Sequence, residues 1–347
     1  MQLPQQLLDS LKDTKGFDRE AFLRVHALQE SITSVRLNPA KPGDANWISY
    51  KDWQTGPGSY EAMKQQTISP VPWAEHGIYL AQRPSFTFDP YFHAGCYYVQ
   101  EASSMFLEQA LKQTADLSQP LKVLDLSAAP GGKSTHIQSL INENSLLVSN
   151  EVIRSRANIL KDNIIKWGSA NVIVTNNDPR DFAQLEGFFD VIVIDAPCSG
   201  SGLFRRDPEA IEEWSENNVQ LCSQRQQRII MDVWPALKKD GILIYSTCSY
   251  SKDEDEDIAN WILSELPIAH CPLLVNTDWG ITETDNGYRF WPDKVKGEGF
   301  FISCFRKLEG EDEFNTKIKT KPAEVTKAEK PALLQWTSAD SFRFIKH

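Results

Sequence analysis

Two cysteines stand beside small polar residues at the ends of two apolar segments. Cys198 follows FDVIVIDAP (189–197), and Cys248 follows GILIYST (241–247), where a turn-forming Gly, Asp or Asn would be usual. Four interpretations are open for each: a buried small side chain, half of a disulfide, a metal ligand or a nucleophile. None of the six cysteines has CxxC spacing, which speaks against structural zinc, and a reducing compartment would speak against a disulfide.

A thiolate is a soft nucleophile that can add to an electron-poor ring. Taken alone, either cysteine is more often a packed side chain than a reactive one. However, Asp195 lies three residues before Cys198, in the motif DAPCSGSG. Two thiols at equivalent strand ends, one of them beside Asp-Ala-Pro, favour chemistry over packing if the two strands lie side by side.

The region from residue 121 onward alternates short apolar strands with helical patterns. Continuous apolar strands are typical of a sheet covered on both faces, and regular strand–helix alternation predicts a doubly wound, mostly parallel α/β fold. The fourth and fifth strands of such a sheet are usually neighbours, so Cys198 and Cys248 should face one cleft. The predicted strands are 121–127, 145–151, 171–176, 189–197, 241–248 and 299–307.

The loop after the first predicted strand consists mainly of small residues. In a doubly wound fold ligands bind at the carboxyl ends of the strands, and small side chains allow a close approach to the backbone. The phosphate-binding pattern GxxxxGK[ST] fails here because its first glycine is replaced by serine, and GxGxxG fails because the two glycines are adjacent. The loop residues are Ser127, Ala128, Ala129, Pro130, Gly131, Gly132 and Lys133.

Three acidic residues follow successive predicted strands. Glu151 follows the loop glycines at about the spacing at which a carboxylate binds ribose hydroxyls, about 20 residues. Asp178 follows the third strand and Asp195 ends the fourth. The set predicts a ribose-containing ligand without a pyrophosphate, such as S-adenosylmethionine. The alternative that these acids are helix N-caps stays open, above all for Asp178.

S-adenosylmethionine would supply a methyl group for a reaction in which the two thiols take part. A thiolate that adds to carbon 6 of a pyrimidine turns carbon 5 into a nucleophile able to attack a methyl sulfonium. The step needs a hydrogen bond or proton at N3 of cytosine, which Asp195 could supply. It also needs a base for the carbon-5 proton before the thiol departs, and a second cysteine could act as that base or assist release.

The motifs LDLSAAPGGKS, DAPCSGSG and YSTCSYS, in this order and spacing, resemble the signature motifs of the Nop/Sun family of RNA cytosine-5 methyltransferases. RLNP (36–39) and the stretch at 93–111 also resemble that family, and the resemblance spans roughly residues 30 to 307. It is greatest with bacterial small-subunit rRNA methyltransferases. The resemblance implies a Rossmann-like methyltransferase domain that uses S-adenosylmethionine and methylates cytosine carbon 5 in RNA.

The resemblance also implies roles for the reactive residues. Cys248 in TCS would be the nucleophile, Cys198 in PCS would assist release of the product, and Asp195 would lie between cofactor and cytosine. DNA cytosine-5 methyltransferases resemble this scheme but take their nucleophile from the fourth-strand motif, so they would leave Cys248 without a role. The TCS motif therefore favours RNA over DNA.

The cofactor contacts follow from the same resemblance. Residues 127–133 would hold the methionine part of S-adenosylmethionine, Glu151 its ribose and Asp178 its adenine. Many members of the family have Cys where this chain has Ser127. Because that position faces the cofactor and carries no chemistry, the departure changes little.

The remainder of the chain divides by composition. Residues 1–118 predict a small α+β domain for RNA binding or packing, with two helices and the strand TSVRLNP; 119–308 form the catalytic domain. Residues 309–347 are charged and predict a linker with a C-terminal segment, either a docking segment or a truncated RNA-binding region. The length of 347 residues agrees with more than one domain. Without a signal-peptide pattern or a long apolar run, we expect a cytoplasmic protein with no membrane contact.

The expected partner is RNA, with small-subunit rRNA first and tRNA as the alternative, and we expect a monomer. The net charge of −11 requires local cations to offset it. Arg205 and Arg206 directly follow the PCS loop and are the first candidates for phosphate contacts, unless they pair with nearby acids. The further candidates are Lys133 and Arg154. The acidic run 253–257 is interpreted as the start of a helix, where acids complement the dipole.

One alternative of another class remains. The chain could be a non-catalytic RNA-binding factor for ribosome assembly that retains a cofactor site. The presence of every reactive residue speaks against this interpretation.

Overall fold

The computed structural model of this protein describes residues 3–28, 32–41, 68–310 and 323–335. The chain divides into two compact units, residues 1–314 and 315–347. The predicted domain limits at residues 118 and 308 stay a prediction. Much of the predicted charged linker lies outside the described residues. Among the helices in the described ranges, none is long and apolar enough to cross a lipid bilayer.

The helices include the two predicted near the N-terminus and those that alternate with the strands of the catalytic region. They are α1 (Gln5–Ser10), α2 (Arg19–Leu28), α3 (Pro90–His93), α4 (Leu107–Thr114), α5 (Gly132–Leu140), α6 (Arg154–Trp167), α7 (Ala210–Glu213), α8 (Glu216–Val233), α9 (Glu256–Glu265) and α10 (Lys330–Leu334). Short 3₁₀ turns lie at Phe86–Phe88, Ser103–Phe106, Pro179–Gln184, Ser201–Leu203, Trp234–Ala236, Lys252–Glu254 and Thr277–Trp279.

The strands form two sheets. They are β1 (Thr33–Leu37), β2 (Ile68–Pro70), β3 (Gly77–Leu80), β4 (Tyr97–Val99), β5 (Lys122–Asp125), β6 (Leu146–Asn150), β7 (Val172–Thr175), β8 (Phe189–Asp195), β9 (Leu237–Thr247), β10 (Ile268–His270), β11 (Thr282–Glu283), β12 (Tyr288–Phe290) and β13 (Phe300–Lys307). The first four pair in the antiparallel order β2-β3-β1-β4. The others form a nine-stranded sheet in the order β11-β12-β13-β9-β8-β5-β6-β7, with β10 paired to β13.

The larger sheet confirms the predicted doubly wound α/β fold. Strands β7, β6, β5, β8 and β9 run parallel, and β13 joins β9 antiparallel. Alternate residues of β8 pack into different clusters: Val191 and Val193 into one, Ile192 and Ile194 into the other. Both faces of the sheet are therefore covered, which is why its strands read as continuous apolar runs.

The end of α6 and the start of α8 each have a residue type that is typical of that position. Helix α6 ends at Gly168, whose φ of 93° is left-handed and suits a residue without a side chain. Helix α8 begins after Ser215, whose hydroxyl accepts a hydrogen bond from the backbone N–H of Asn218. The chain thus passes from α6 directly into β7, and α8 begins after the segment that leaves β8.

The RLNP segment joins the small sheet to helix α5, which follows the loop 127–133. Arg36 is buried; its Nε donates to Gln100 Oε1 at 2.8 Å and its Nη2 donates to Thr135 Oγ1 at 2.6 Å. The guanidinium also lies 4.6 Å from the ring centre of Trp167, at the end of α6. RLNP is thus a structural element that holds the start of α5 in place.

Candidate active site

The two cysteines meet at the carboxyl edge of the parallel sheet. Strands β8 and β9 pair in register, with Asp195 opposite Ser246, and the chain leaves both strands at the same level. The sulfur atoms of Cys198 and Cys248 lie 3.1 Å apart, and both cysteines are free thiols. Both line one cavity. The expectation that the two thiols face one cleft is confirmed, while their individual roles stay predictions.

The surroundings of Cys198 oppose its ionisation. The hydrogen bond with the Cys248 sulfur raises the pKa of Cys198 well above its ordinary value, and burial and nearby negative charge raise it further. These causes hold Cys198 in its protonated form, and its S–H can donate to the sulfur of Cys248, 3.1 Å away.

Asp195 and Lys133 form an ion pair beside the thiols. Lys133 Nζ lies 2.7 Å from Asp195 Oδ2, and Ser246 Oγ donates to Asp195 Oδ1 at 2.9 Å. Burial acts to lower the pKa of Lys133, but attraction to Asp195 outweighs it, so the net pKa is raised and the ammonium persists. The side chain of Lys133 is only 12% exposed. The charge of Lys133 is therefore directed into the pocket, and its contact with RNA stays a prediction.

A cavity of about 480 Å³ opens on one side of the thiols. It has the character expected for a nucleoside: a small-residue loop, carboxylates and a few apolar side chains. It unites the three acids predicted from the strand ends. Its lining includes Ser127, Ala129, Asn150, Glu151, Ile153, Arg156, Asp178, Asp195, Cys198 and Cys248.

Glu151 has the geometry of a ribose ligand. Its side chain is 2% exposed, and Oε1 accepts a hydrogen bond from the backbone N–H of Ile153 at 3.0 Å. Oε2 lies 3.3 Å from Arg156 Nη1 but has no hydrogen-bond partner among the described residues. A buried carboxylate oxygen that retains acceptor capacity at a cavity wall fits a ligand hydroxyl.

Asp178 also lines this cavity, and in addition it is an N-cap residue. Its Oδ1 accepts a hydrogen bond from the Arg180 backbone N–H at 3.2 Å, and it caps the turn Pro179–Gln184. The N-cap alternative for this residue is therefore confirmed. Capping and cavity lining are compatible, because the carboxylate is 39% exposed and has a second oxygen.

The loop 127–133 is held in place by two side chains that were not predicted from the sequence. Arg156 Nη2 donates to the carbonyl of Ala129 at 2.9 Å, and Asn163 Nδ2 donates to that of Pro130 at 2.8 Å. Both donors belong to α6. Gly131, at the end of the loop, has a φ of 118°, which L side chains rarely adopt. The helical spacing of Arg156 and Asn163 on one face of α6 is the signal that could have identified them.

A second cavity, of about 260 Å³, is lined by Cys248 but not by Cys198. It shares Asp195 and Cys248 with the first, so the two cavities meet where the reactive atoms lie. Tyr98 and Phe300 give it aromatic walls, and Lys133 contributes its charge. Burial raises the pKa of Tyr98 to about 12, so the phenol stays neutral. This cavity is suited to a flat, polar-edged ring.

The two adjacent arginines behave differently. Arg205 is buried; its Nε lies 3.0 Å from Glu298 Oε2 and its Nη2 donates to the carbonyl of Gly297. The prediction that Arg205 contacts RNA phosphate is wrong, because its charge is committed inside the protein. Arg206 is exposed and lines the second cavity, and no carboxylate pairs with it in the described ranges. Arg154 is exposed at the start of α6 but lines neither cavity.

The acidic run at 253–257 lies at a helix start as predicted, since α9 begins at Glu256 and has Glu256 and Asp257 in its first turn, but two of its members are not solvated. Glu254 and Asp255 are fully buried, so they do not act as solvated acids at a helix start. Asp255 Oδ2 lies 3.1 Å from Arg289 Nη1, and Glu254 accepts hydrogen bonds from the two cysteine loops. A charge run is usually a solvated face, and nothing in the local sequence marks the partners, which lie on distant segments.

Comparisons with known proteins agree with this geometry. The sequence model described as "16S rRNA methyltransferase RsmB/F" matches residues 112–306, more than half of the chain. This chain belongs to that family. The model described as "N-terminal domain of 16S rRNA methyltransferase RsmF" matches residues 3–102. The resemblance to the Nop/Sun family is thereby confirmed, at the level of its RsmB/F members.

Individual RsmB/F relatives extend the match. "Ribosomal RNA small subunit methyltransferase F" of Psychromonas ingrahamii is 37% identical over 69% of this chain and 52% of its own length. The protein of that name from Pectobacterium atrosepticum is 32% identical over 88% of this chain and 63% of its own length. A solved "Methyltransferase Homolog Protein" from Pyrococcus horikoshii is 27% identical, with a TM-score of 0.68 over 88% of this chain and 100% of its own. The chain thus spans about half to two thirds of the curated relatives' length.

Proposed function

We propose that this chain transfers a methyl group from S-adenosylmethionine to carbon 5 of a cytosine in small-subunit rRNA. The observation that carries the proposal is the thiol pair of Cys198 and Cys248, 3.1 Å apart, of which Cys248 lines both cavities and Cys198 lines the larger one. Membership of the RsmB/F family supports the rRNA substrate. A cytoplasmic location and a monomeric state are part of this proposal.

The cofactor side is the cavity with the three acids. Its residues fit S-adenosylmethionine, since Glu151 retains a buried acceptor for ribose hydroxyls, and Ser127 and Ala129 bring the small-residue loop to the cavity wall. Asp178 lines the same cavity and would contact the adenine. When bound, S-adenosylmethionine supplies an electrophilic methyl group. The residues of the chain orient it toward the cavity that would take the base.

The base side is the cavity with Tyr98 and the Lys133–Asp195 ion pair. Cytosine offers an N4 amino donor next to an N3 acceptor. The ion pair offers a carboxylate acceptor next to an ammonium donor, so the two edges are complementary. Lys133 would then donate toward N3 while Asp195 accepts from N4. This arrangement withdraws electron density from the ring, which favours addition at carbon 6.

Covalent chemistry would follow in two stages. The Cys248 thiolate forms a bond to carbon 6, and the electron pair gained by carbon 5 takes up the methyl group. Once its sulfur is bound to carbon, Cys248 no longer carries a charge, so the main cause that raises the pKa of Cys198 disappears. Cys198 can then ionise and remove the proton from carbon 5, and the returning electron pair expels the Cys248 thiolate.

The RNA would enter past Arg206. A further cavity of about 240 Å³ shares Val99, Gln100, Glu101 and Arg206 with the base-side cavity and reaches Arg83. The two arginines would contact phosphates on either side of an unpaired or flipped cytosine. The target base must leave its stack, because the thiols lie inside the cavity.

The test uses unmodified 16S rRNA, labelled S-adenosylmethionine and two variants. Cys198→Ala should accumulate a protein–RNA adduct that survives denaturing electrophoresis, since the carbon-5 proton is not removed. Cys248→Ala should form no adduct and no product. Full methylation by Cys248→Ala, with no adduct in Cys198→Ala, would refute the mechanism.

The non-catalytic assembly factor is the rival function, and the RsmB/F match does not favour it. Calorimetry with S-adenosylmethionine separates the two. A factor with a degenerate site would not bind the cofactor. Binding in the micromolar range together with adduct formation supports the enzyme.

A further inference from the structure

Both cysteine loops are tied to one buried carboxylate. Each reactive cysteine is followed by a serine, Ser199 after Cys198 and Ser249 after Cys248. Glu254 Oε1 accepts a hydrogen bond from the Ser199 backbone N–H at 2.8 Å. Its Oε2 accepts from Ser199 Oγ at 2.5 Å and from Ser249 Oγ at 2.7 Å. One side chain therefore bridges the residues next to both sulfur atoms.

Helix α8 and strand β9 hold this carboxylate from behind. Gln226 Nε2 donates to Glu254 Oε1 at 3.3 Å and to the carbonyl of Pro197 at 3.1 Å. The hydroxyl of Tyr245 donates to the Glu254 backbone carbonyl at 2.6 Å. Glu254 and Gln226 are both fully buried. The carboxylate is consequently fixed in position before any substrate binds.

The charge of Glu254 is balanced by hydrogen-bond donors rather than by a cation. Within the described ranges no Lys, Arg or His forms an ion pair with it. Burial raises its pKa, while the donors from Ser199 and Ser249 act in the opposite direction. Burial of a carboxylate without a cation lowers the free energy of unfolding, and its replacement by apolar packing is often neutral or favourable. The presence of Glu254 at this position therefore indicates a role other than stability.

We propose that Glu254 is a positioning residue that sets the separation of the two reactive thiols and keeps the shared proton on Cys198. The proposal rests on the methyltransferase function proposed above. Glu254 lines neither the cofactor-side nor the base-side cavity, so it acts through the two cysteine loops. Its negative charge is also one of the causes that raise the pKa of Cys198, after the Cys248 hydrogen bond and burial.

The physical reason is the small tolerance of a two-thiol mechanism. Cys248 must reach carbon 6 while Cys198 waits near carbon 5, and a displacement of about 1 Å can cost about 100-fold in rate. A glutamine at position 254 keeps the shape but replaces one acceptor oxygen by an amino group. That group would face a serine donor, and the two loops would lose their common anchor.

The first measurement needs no RNA. Glu254→Gln and wild-type protein are treated with iodoacetamide across pH 6 to 10, and alkylation of Cys198 and Cys248 is followed separately by mass spectrometry. We expect the Cys198 curve of the variant to move to lower pH by about one unit, a common size for environmental effects. The matched control is Asp257→Asn, which removes an equal charge from an exposed member of the same acidic run.

The second measurement is steady-state methylation of unmodified 16S rRNA. We expect Glu254→Gln to lose about 100-fold in kcat, with the KM for S-adenosylmethionine within about twofold of wild type, and Glu254→Ala to lose more. Asp257→Asn should match wild type. Ser249→Ala removes one donor to Glu254 and the acceptor of the Ser251 N–H. It should shift both readouts in the same direction and serves if the Glu254 variants do not fold.

Unchanged alkylation curves and unchanged kcat in a folded Glu254→Gln protein, or in Ser249→Ala, would overturn the positioning role. Lower melting temperature with normal rates per folded molecule would do the same, since it indicates a purely structural carboxylate. Wild-type protein that does not methylate the rRNA would refute the proposed function instead. In that case the alkylation curves still decide the role of Glu254.

Discussion

Arg205 and Arg206 form a natural pair of test positions. They are adjacent in sequence, yet Arg205 pairs with Glu298 in the interior and Arg206 is exposed on the base-side cavity. We predict that Arg205→Ala lowers stability and leaves the salt dependence of RNA binding unchanged. Arg206→Ala should do the opposite. Each variant is thus the control for the other.

The magnitude follows from the buried geometry. The side chains of Arg205 and Glu298 are 2% and 3% exposed, and removing one partner of such a pair costs about 3–5 kcal/mol. Unfolding entropy is about 2.1 cal/mol/K per residue, or about 0.7 kcal/mol/K for the unit of residues 1–314. Arg205→Ala should therefore lower the Tm by about 5–8 °C.

Two assays measure the difference. Differential scanning calorimetry gives the Tm, and filter binding of single-stranded rRNA fragments from 50 to 200 mM salt gives the slope of log Kd against log salt. Loss of one phosphate contact in Arg206→Ala should reduce that slope by about 0.7. If Arg205→Ala keeps its Tm and loses slope, Arg205 reaches the phosphate and our reading of the buried ion pair is refuted.

Three further predictions concern stability and the site. Burial lowers the pKa of His26 from 6.5 to about 4, so the unfolded state gains the proton first and the free energy of unfolding should fall as pH drops from 6.5 towards 4. We expect a loss of about 2 kcal/mol at pH 5 that disappears in His26→Gln, measured by urea denaturation; an identical pH dependence in both proteins would contradict this. A Cβ at Gly202 would lie 2.7 Å from the Cys248 carbonyl oxygen, so Gly202→Ala should cost about 1–3 kcal/mol and most of the methylation activity. Gly200→Ala, with open space at its Cβ and a φ of 74°, should cost only about 1 kcal/mol. Glu151→Gln should weaken S-adenosylmethionine binding by about 10- to 100-fold in calorimetry, and unchanged affinity would remove Glu151 from the ribose site.

The fold of the catalytic region could be predicted because its signals are local. Apolar runs such as 189–197 read as strands covered on both faces, and the structure places β8 in the middle of the sheet. The motif order then placed Cys198 and Cys248 at strand ends. Only the pairing of β8 with β9 brought their sulfur atoms together, and that pairing follows from a general property of doubly wound sheets.

The site acids could be predicted for the same reason. Glu151, Asp178 and Asp195 each follow a strand of one parallel sheet, and the carboxyl ends of such strands share an edge. Their placement in one cavity needs no knowledge of distant packing. Asp178 shows the limit of this inference, since the same position suits an N-cap and the residue serves as one.

The sequence by itself determined the family, the sheet and the residues at its reactive edge, because these depend on period, spacing and motif. Tertiary structure alone decided which charges face water. Arg205 is buried because Glu298, 93 residues away, meets it, and Glu254 is buried because two serine loops on different strands donate to it. The free energy of a charged side chain depends on its partners and on the water it loses. Neither the partners nor the loss of hydration can be predicted from the few residues that surround a charged side chain in the sequence.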